Sequence, residues 1–116
     1  MSRLTEVLDR LAATIEARKG ADPSASWTAK LLADPTLAAK KLGEEAVEAV
    51  LAAALNDRDA LAAESADVLY HLLALLAASG VSLDDVAAKL EAREGRSGVA
   101  EKAARGQDAS RPGEMS

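Results

Sequence analysis

The chain has 116 residues, with 14 Lys plus Arg against 19 Asp plus Glu for a formal charge of −5, one His, one Trp, one Tyr and no Cys. That length holds one domain and excludes most large enzyme folds, while the missing cysteines exclude disulfides, thiolate metal sites and a Cys nucleophile. The acidic balance, with few aromatics and no strong basic cluster before the tail, argues against nucleic acid as the main ligand.

At the amino terminus, MSRLTEVLDR sets charges where a signal peptide needs a continuous apolar run, and no apolar stretch approaches the roughly 20 residues of a membrane span. A soluble, cytoplasmic protein with no membrane partner is expected. Between Arg3 and Lys19, Leu4, Val7, Leu8, Leu11 and Ile15 recur at three- and four-residue steps, the period of one helical face. Gly20 ends that helix, and Asp22-Pro23 opens a polar loop through Ser26. Trp27–Ala33 reads as a short connecting helix capped by Ser24 or Ser26. Asp34-Pro35 then pairs an N-cap acid with a proline at the first helical position, and the pattern runs unbroken from Pro35 to Leu55. Asn56-Asp57 breaks it, and a second long helix runs from Arg58 to Ser79, closed by Gly80. Ser82 caps a last helix with Asp84 and Asp85 in its first turn, ending near Gly95. Beyond it the pattern fades, so the reading is one domain over residues 1–95 and a flexible tail over residues 96–116.

Alanine supplies 28 of the 116 residues, and it is the strongest helix former. The fold class is therefore all-α: an antiparallel helix bundle with two long helices. Each Ala buries little area, so a short chain of this kind lacks core by itself. Val68–Val81 carries no formal charge and is apolar around most of its circumference, so it needs cover on all sides. Homodimerisation against this helix is expected to complete the bundle.

No phosphate-binding loop, dinucleotide turn or H-E-x-x-H is present, and His71 is the only imidazole. What remains is a set of carboxylates. Glu44 and Glu48 lie about 40° apart on the first long helix, with Glu45 about 60° further round. Glu64, Asp67 and His71 fall within about 60° on the second. Glu48 lies eight positions before Asn56 and Glu64 eight after it, so in a hairpin the two groups come level. Acids converging in this way repel unless a cation holds them, and hard divalent ions with oxygen ligands suit them: Mg²⁺ first, Mn²⁺ next. Against this, charges on Ala-rich helices are usually a solvated face, and Lys40 with Glu44 and Lys41 with Glu45 are ordinary i,i+4 pairs. A di-iron carboxylate centre fails on ligand count, because Glu-x-x-His is missing. His71 is expected to bond to Asp67 one turn back or to orient it, and Trp27 to be a packing residue rather than a base-stacking platform. Lys30, Lys40 and Lys41 are candidates for phosphate contact, and His71 is a weaker candidate for substrate binding.

Three segments, Ser26-Trp27-Thr28-Ala29-Lys30-Leu31-Leu32, Lys40-Lys41-Leu42-Gly43-Glu44-Glu45-Ala46-Val47-Glu48 and Glu64-Ser65-Ala66-Asp67-Val68-Leu69-Tyr70-His71, closely resemble the phosphoribosyl-ATP pyrophosphohydrolases of histidine biosynthesis. The wider group is the all-α, MazG-like nucleoside triphosphate pyrophosphohydrolases. Their E-x-x-E followed by E-x-x-D is met by Glu45 and Glu48, then Glu64 and Asp67, with fifteen residues between the pairs. The likeness spans Leu4 to Arg93. It implies Mg²⁺-dependent hydrolysis of phosphoribosyl-ATP to phosphoribosyl-AMP and pyrophosphate, the second step of the pathway, by a helical homodimer. Carried over by position, Glu45, Glu48, Glu64 and Asp67 are the metal-binding acids, and Glu44 completes the E-E-x-x-E run. The hydrolysis so implied needs an acceptor for the proton of the attacking water, and Glu45 and Glu48 are the two candidates, between which the sequence does not choose. Two other readings stay open: a house-cleaning pyrophosphohydrolase acting on another nucleotide, and a non-catalytic helical dimer serving as an adaptor.

Overall fold

A computed structural model describes residues 2–94, all helix and loop, in the order α1 (Arg3–Ala17), α2 (Trp27–Ala33), α3 (Pro35–Ala54), α4 (Arg58–Ala78) and α5 (Leu83–Glu91). The chain divides into two units, Met1–Ser82 and Leu83–Ser116. In the second, the described part is α5, with Asp84 and Asp85 in its first turn and Lys89 in its last, the charge order that favours a helix dipole. The expected helix end near Gly95 and the tail of residues 96–116 lie outside the described residues.

In the first unit, each helix starts where a side-chain oxygen replaces a missing hydrogen-bond partner. Ser2 accepts from Thr5 N at 3.2 Å, Ser26 from Ala29 N at 3.2 Å, Asp34 from Leu37 N at 3.1 Å and Asp57 from Ala60 N at 3.0 Å. Ser26 rather than Ser24 caps α2, and Ser24 instead donates to Asp22. Helix α1 stops at Ala17, two residues short of the expected end, and the chain turns through Gly20 at φ +78°.

The α3–α4 link is short because one motif closes α3 and opens α4. Asn56 takes a left-handed conformation at φ 56°, which Asn tolerates better than most residues. Its N–H donates to Ala53 O and that of Asp57 to Ala52 O, at 3.1 and 3.0 Å, the paired bonds of a Schellman closure. Gly80 and Val81 close α4 in the same way, onto Ala77 O and Leu76 O.

Helices α3 and α4 are antiparallel: Ala38, early in α3, packs with Ala74, late in α4. Helix α2 runs parallel to α4, since Thr28 meets Tyr70 and Leu31 meets Ala74. The core is Leu31, Ala38 and Ala74, with Leu37, Tyr70 and Leu75 against it. Among the described residues, Ile15 and Leu31 are the only large side chains wholly buried. Burying each contributes about 1.5–3 kcal/mol, whereas an Ala contributes far less.

The open apolar surface differs from expectation. On α4, His71 and Ala74 are buried and the rest of the Val68–Ala78 run is half-buried, because α1, α2 and α3 all rest on it. The bare face is on α3 instead, where Val47, Val50, Leu51 and Leu55 are 57–79% exposed. Leu4 and Val7 of α1 are also exposed. By length and composition α4 is apolar enough to cross a membrane, which corrects the expectation that no segment approaches a span; the qualifying helix nonetheless carries Glu64 and Asp67.

Candidate metal centre

Glu45 points from α3 toward α4 because of where the buried alanines fall. Ala38 and Ala52, each seven residues from Glu45, lie within about 20° of it on the helix, and both are buried. Glu48 sits about 60° round from that line and Glu44 about 100°. On α4, Glu64 shares its line with the buried His71 two turns on. Glu45, Glu48 and Glu64 each place a carboxylate oxygen within 4.8 Å of the others, with Glu45 and Glu64 half-buried and Glu48 exposed. The level that equal spacing from Asn56 predicts for Glu48 and Glu64 is the level observed.

Oxygen Oε2 of Glu64 is covered and has no hydrogen-bond partner. Glu64 also holds its proton more tightly than usual, to a pKa of about 7, first through hydrogen bonding with Glu45, then with Glu48, and then through desolvation and the charges of both. Apart from the proton that Glu64 retains, the three carboxyl groups face one another with no N–H or ammonium donor among the described residues bonded to them. A hard cation with oxygen ligands is the species that such a donor set fits.

Two other candidate acids stand apart from this trio. Glu44 is taken by Lys41 at 3.2 Å and Lys40 at 4.0 Å. Lys41 thus turns to Glu44 rather than to Glu45, which leaves Glu45 to the trio. Its ammonium is held above the usual lysine value by the Glu44 hydrogen bond and charge, with Glu45 and Glu48 adding, so it stands in the field of the cluster. Asp67 is exposed, one turn beyond Glu64. His71 bonds to Asp67 through Nδ1, but to the main-chain carbonyl at 2.8 Å and not to the carboxylate. Nδ1 therefore carries the proton. Nε2 is buried without a partner and the residue is 6% exposed, so the ring faces the interior, edge-on to Tyr70 at 4.9 Å.

Two features of α2 bear on the same end of α4. Thr28 Oγ1 and Tyr70 Oη share a hydrogen bond at 2.6 Å, which no sequence signal announces across a separation of 42 residues. Trp27, expected to pack, is 45% exposed, with the Lys30 ammonium 5.8 Å from its ring centre, at the i,i+3 spacing of helix neighbours. At the opposite end of α2, a cavity of about 460 Å³ is lined by Lys19, Gly20, Ala29, Leu32, Ala77 and Gly80 among others. It shares no lining residue with the carboxylates.

A profile of the family described as phosphoribosyl-ATP pyrophosphohydrolase matches residues 8–94. A Caulobacter vibrioides protein named phosphoribosyl-ATP pyrophosphatase is 79% identical over 103 residues, covering 89% of this chain and 96% of its own. A protein of the same name from another Caulobacter is 73% identical over 105 residues, covering 90% and 98%. One from Cereibacter sphaeroides is 66% identical over 101 residues, covering 86% and 98%.

Proposed function

The chain belongs to the phosphoribosyl-ATP pyrophosphohydrolase family, and from that membership we propose that it hydrolyses phosphoribosyl-ATP to phosphoribosyl-AMP and pyrophosphate, in the cytoplasm, as the second step of histidine biosynthesis. The observation that carries the mechanism is the converging trio of Glu45, Glu48 and Glu64 with its covered, unpartnered oxygen. These three, with Asp67 one turn beyond Glu64, would hold Mg²⁺. Glu44, fixed by Lys41, borders them. When bound, such an ion neutralises charge on the phosphate chain and lowers the pKa of the attacking water.

In this reading water attacks the α-phosphorus, its bond to the bridging oxygen breaks, and pyrophosphate leaves. The water proton passes to Glu45 or Glu48, the acids that α3 presents to the site. Lys41, and at longer reach Lys40 and Lys30, contact phosphate oxygens. His71 serves substrate binding from behind, by fixing the main chain at Asp67. The bare stripe of Val47, Val50, Leu51 and Leu55 is covered by a second copy, giving a homodimer. Glu48 stands on α3 between this stripe and the α4-facing line, so the partner borders the site.

The test is pyrophosphate release from phosphoribosyl-ATP, with Mg²⁺ and with chelator, beside a panel of ordinary and deoxynucleoside triphosphates. Fast, metal-dependent release from phosphoribosyl-ATP alone is the expected result. Release from a different nucleotide keeps the carboxylate site and overturns the substrate; no release from any of them by folded protein overturns the enzyme.

A further inference from the structure

We propose that Trp27 is the stacking surface for the nucleobase of the substrate, set by the α2–α4 contact beside the carboxylate cluster. The proposal rests on a nucleotide being the substrate, as above.

The fold leaves nearly half of this residue's surface open. Helix α2 is anchored by Ala29 and Leu31, 3% and 0% exposed, and by the bond from Thr28 to Tyr70. Trp27 is the first residue of α2, where an aromatic side chain adds nothing to helix propensity, and it stands 45% exposed. Leaving so large an apolar group to water is unfavourable unless something covers it. Its backbone is nevertheless fixed, because Ser26 caps the helix just before it and Thr28 is tied to α4 just after it.

The direction of α2 decides what can cover it. Since α2 runs parallel to α4, Trp27 lies on the side of Tyr70 that leads back to Asp67 and Glu64. Tyr70 lies six positions after Glu64, which is about 9 Å of helix, and Trp27 lies one residue nearer to Glu64 than Thr28 does. Turning from Glu64 through Asp67 to Tyr70, the side chains rotate by about 60° at each step, so Asp67 lies between the acid trio and α2. A nucleotide whose phosphates lie at the trio carries its base one ribose away, toward α2. Every base has a π-face that an aromatic side chain can stack on. The Lys30 ammonium lies 5.8 Å from the ring centre, on the side of Trp27 away from the trio, and adds positive charge beside the stacking surface.

Trp27 is the only tryptophan in the chain, so its fluorescence reports on this place alone. In the full chain with Mg²⁺, ATP is expected to quench the indole and inorganic triphosphate to leave it nearly unchanged. Trp27→Leu should raise KM for phosphoribosyl-ATP about 5- to 100-fold with kcat nearly unchanged, and Trp27→Phe should restore most of it. Equal quenching by triphosphate, or an unchanged KM in Trp27→Leu, overturns the proposal. So does emission that responds to protein dilution and not to ATP, since a second copy then covers the ring. Turnover of phosphoribosyl-ATP without any indole signal sinks the stacking role and spares the reaction. Indole quenching by ATP without turnover of phosphoribosyl-ATP does the reverse.

Discussion

Glu64 keeps its proton to about pH 7, against an ordinary value of 4.5, because Glu45 and then Glu48 bond to and crowd it. Between those two values the native chain binds more protons than the unfolded one, so native stability falls as pH rises. The contribution is complete below about 4.5 and is lost through about 7. Thermal melts in chelator, followed by circular dichroism, should show the midpoint declining across that window, and declining less in Glu64→Gln; superimposable pH profiles for the two proteins would refute the coupling. On the proposed binding of a cation by the ionised trio, the rise in midpoint on adding Mg²⁺ should grow with pH over the same range. Glu48→Gln should lower pyrophosphate release by roughly 100-fold or more while leaving the far-ultraviolet spectrum intact. At this scale, sequence reading succeeds where helix geometry alone decides, as for Glu45, Glu48 and Glu64. It falls short where flexible side chains choose between neighbours: Lys41 takes Glu44 over Glu45, and His71 takes the carbonyl of Asp67 over its carboxylate.

The helices themselves were legible because their ends carry local chemistry. Asp34-Pro35, Asn56-Asp57 and Gly80 mark boundaries that the structure reproduces to within a residue, since caps and left-handed turns are satisfied within a few positions. Contacts between helices have no such local sign, and the Thr28–Tyr70 bond was invisible for that reason. Removing it in Tyr70→Phe should cost about 0.5–1.5 kcal/mol in urea unfolding and loosen α2. Asp57→Ala removes the cap on Ala60 N and should cost about 0.5–2 kcal/mol. It also frees the start of α4, so metal affinity should fall with it; a variant that loses stability yet binds Mg²⁺ as the wild type does would show that the cap does not set the site.

For the molecule as a whole, the shortage of core read from alanine content is matched by how few large side chains the first unit buries. Which face is left bare is not legible in the sequence, because the apolar run of α4 is covered by α1, α2 and α3, and that packing has no local sign. With the proposed second copy on the α3 stripe, Leu51→Glu should convert a dimer into monomers in sedimentation velocity and lower the melting temperature. Sedimentation unchanged from wild type would move the interface elsewhere.

The three-residue link between α3 and α4 has a bearing on how this chain can change length. Glu48 and Glu64 face each other because each lies eight positions from Asn56. A single residue added to one arm turns its acid by about 100° and displaces it by about 1.5 Å, which scatters the trio. Matched insertions that add about a whole number of turns to both arms, such as roughly seven or eleven residues each, restore it. The hairpin is in this sense a gauge whose setting is the fifteen-residue gap between Glu48 and Glu64, while the stretches of helix outside the two acids are free to lengthen or shorten without resetting it.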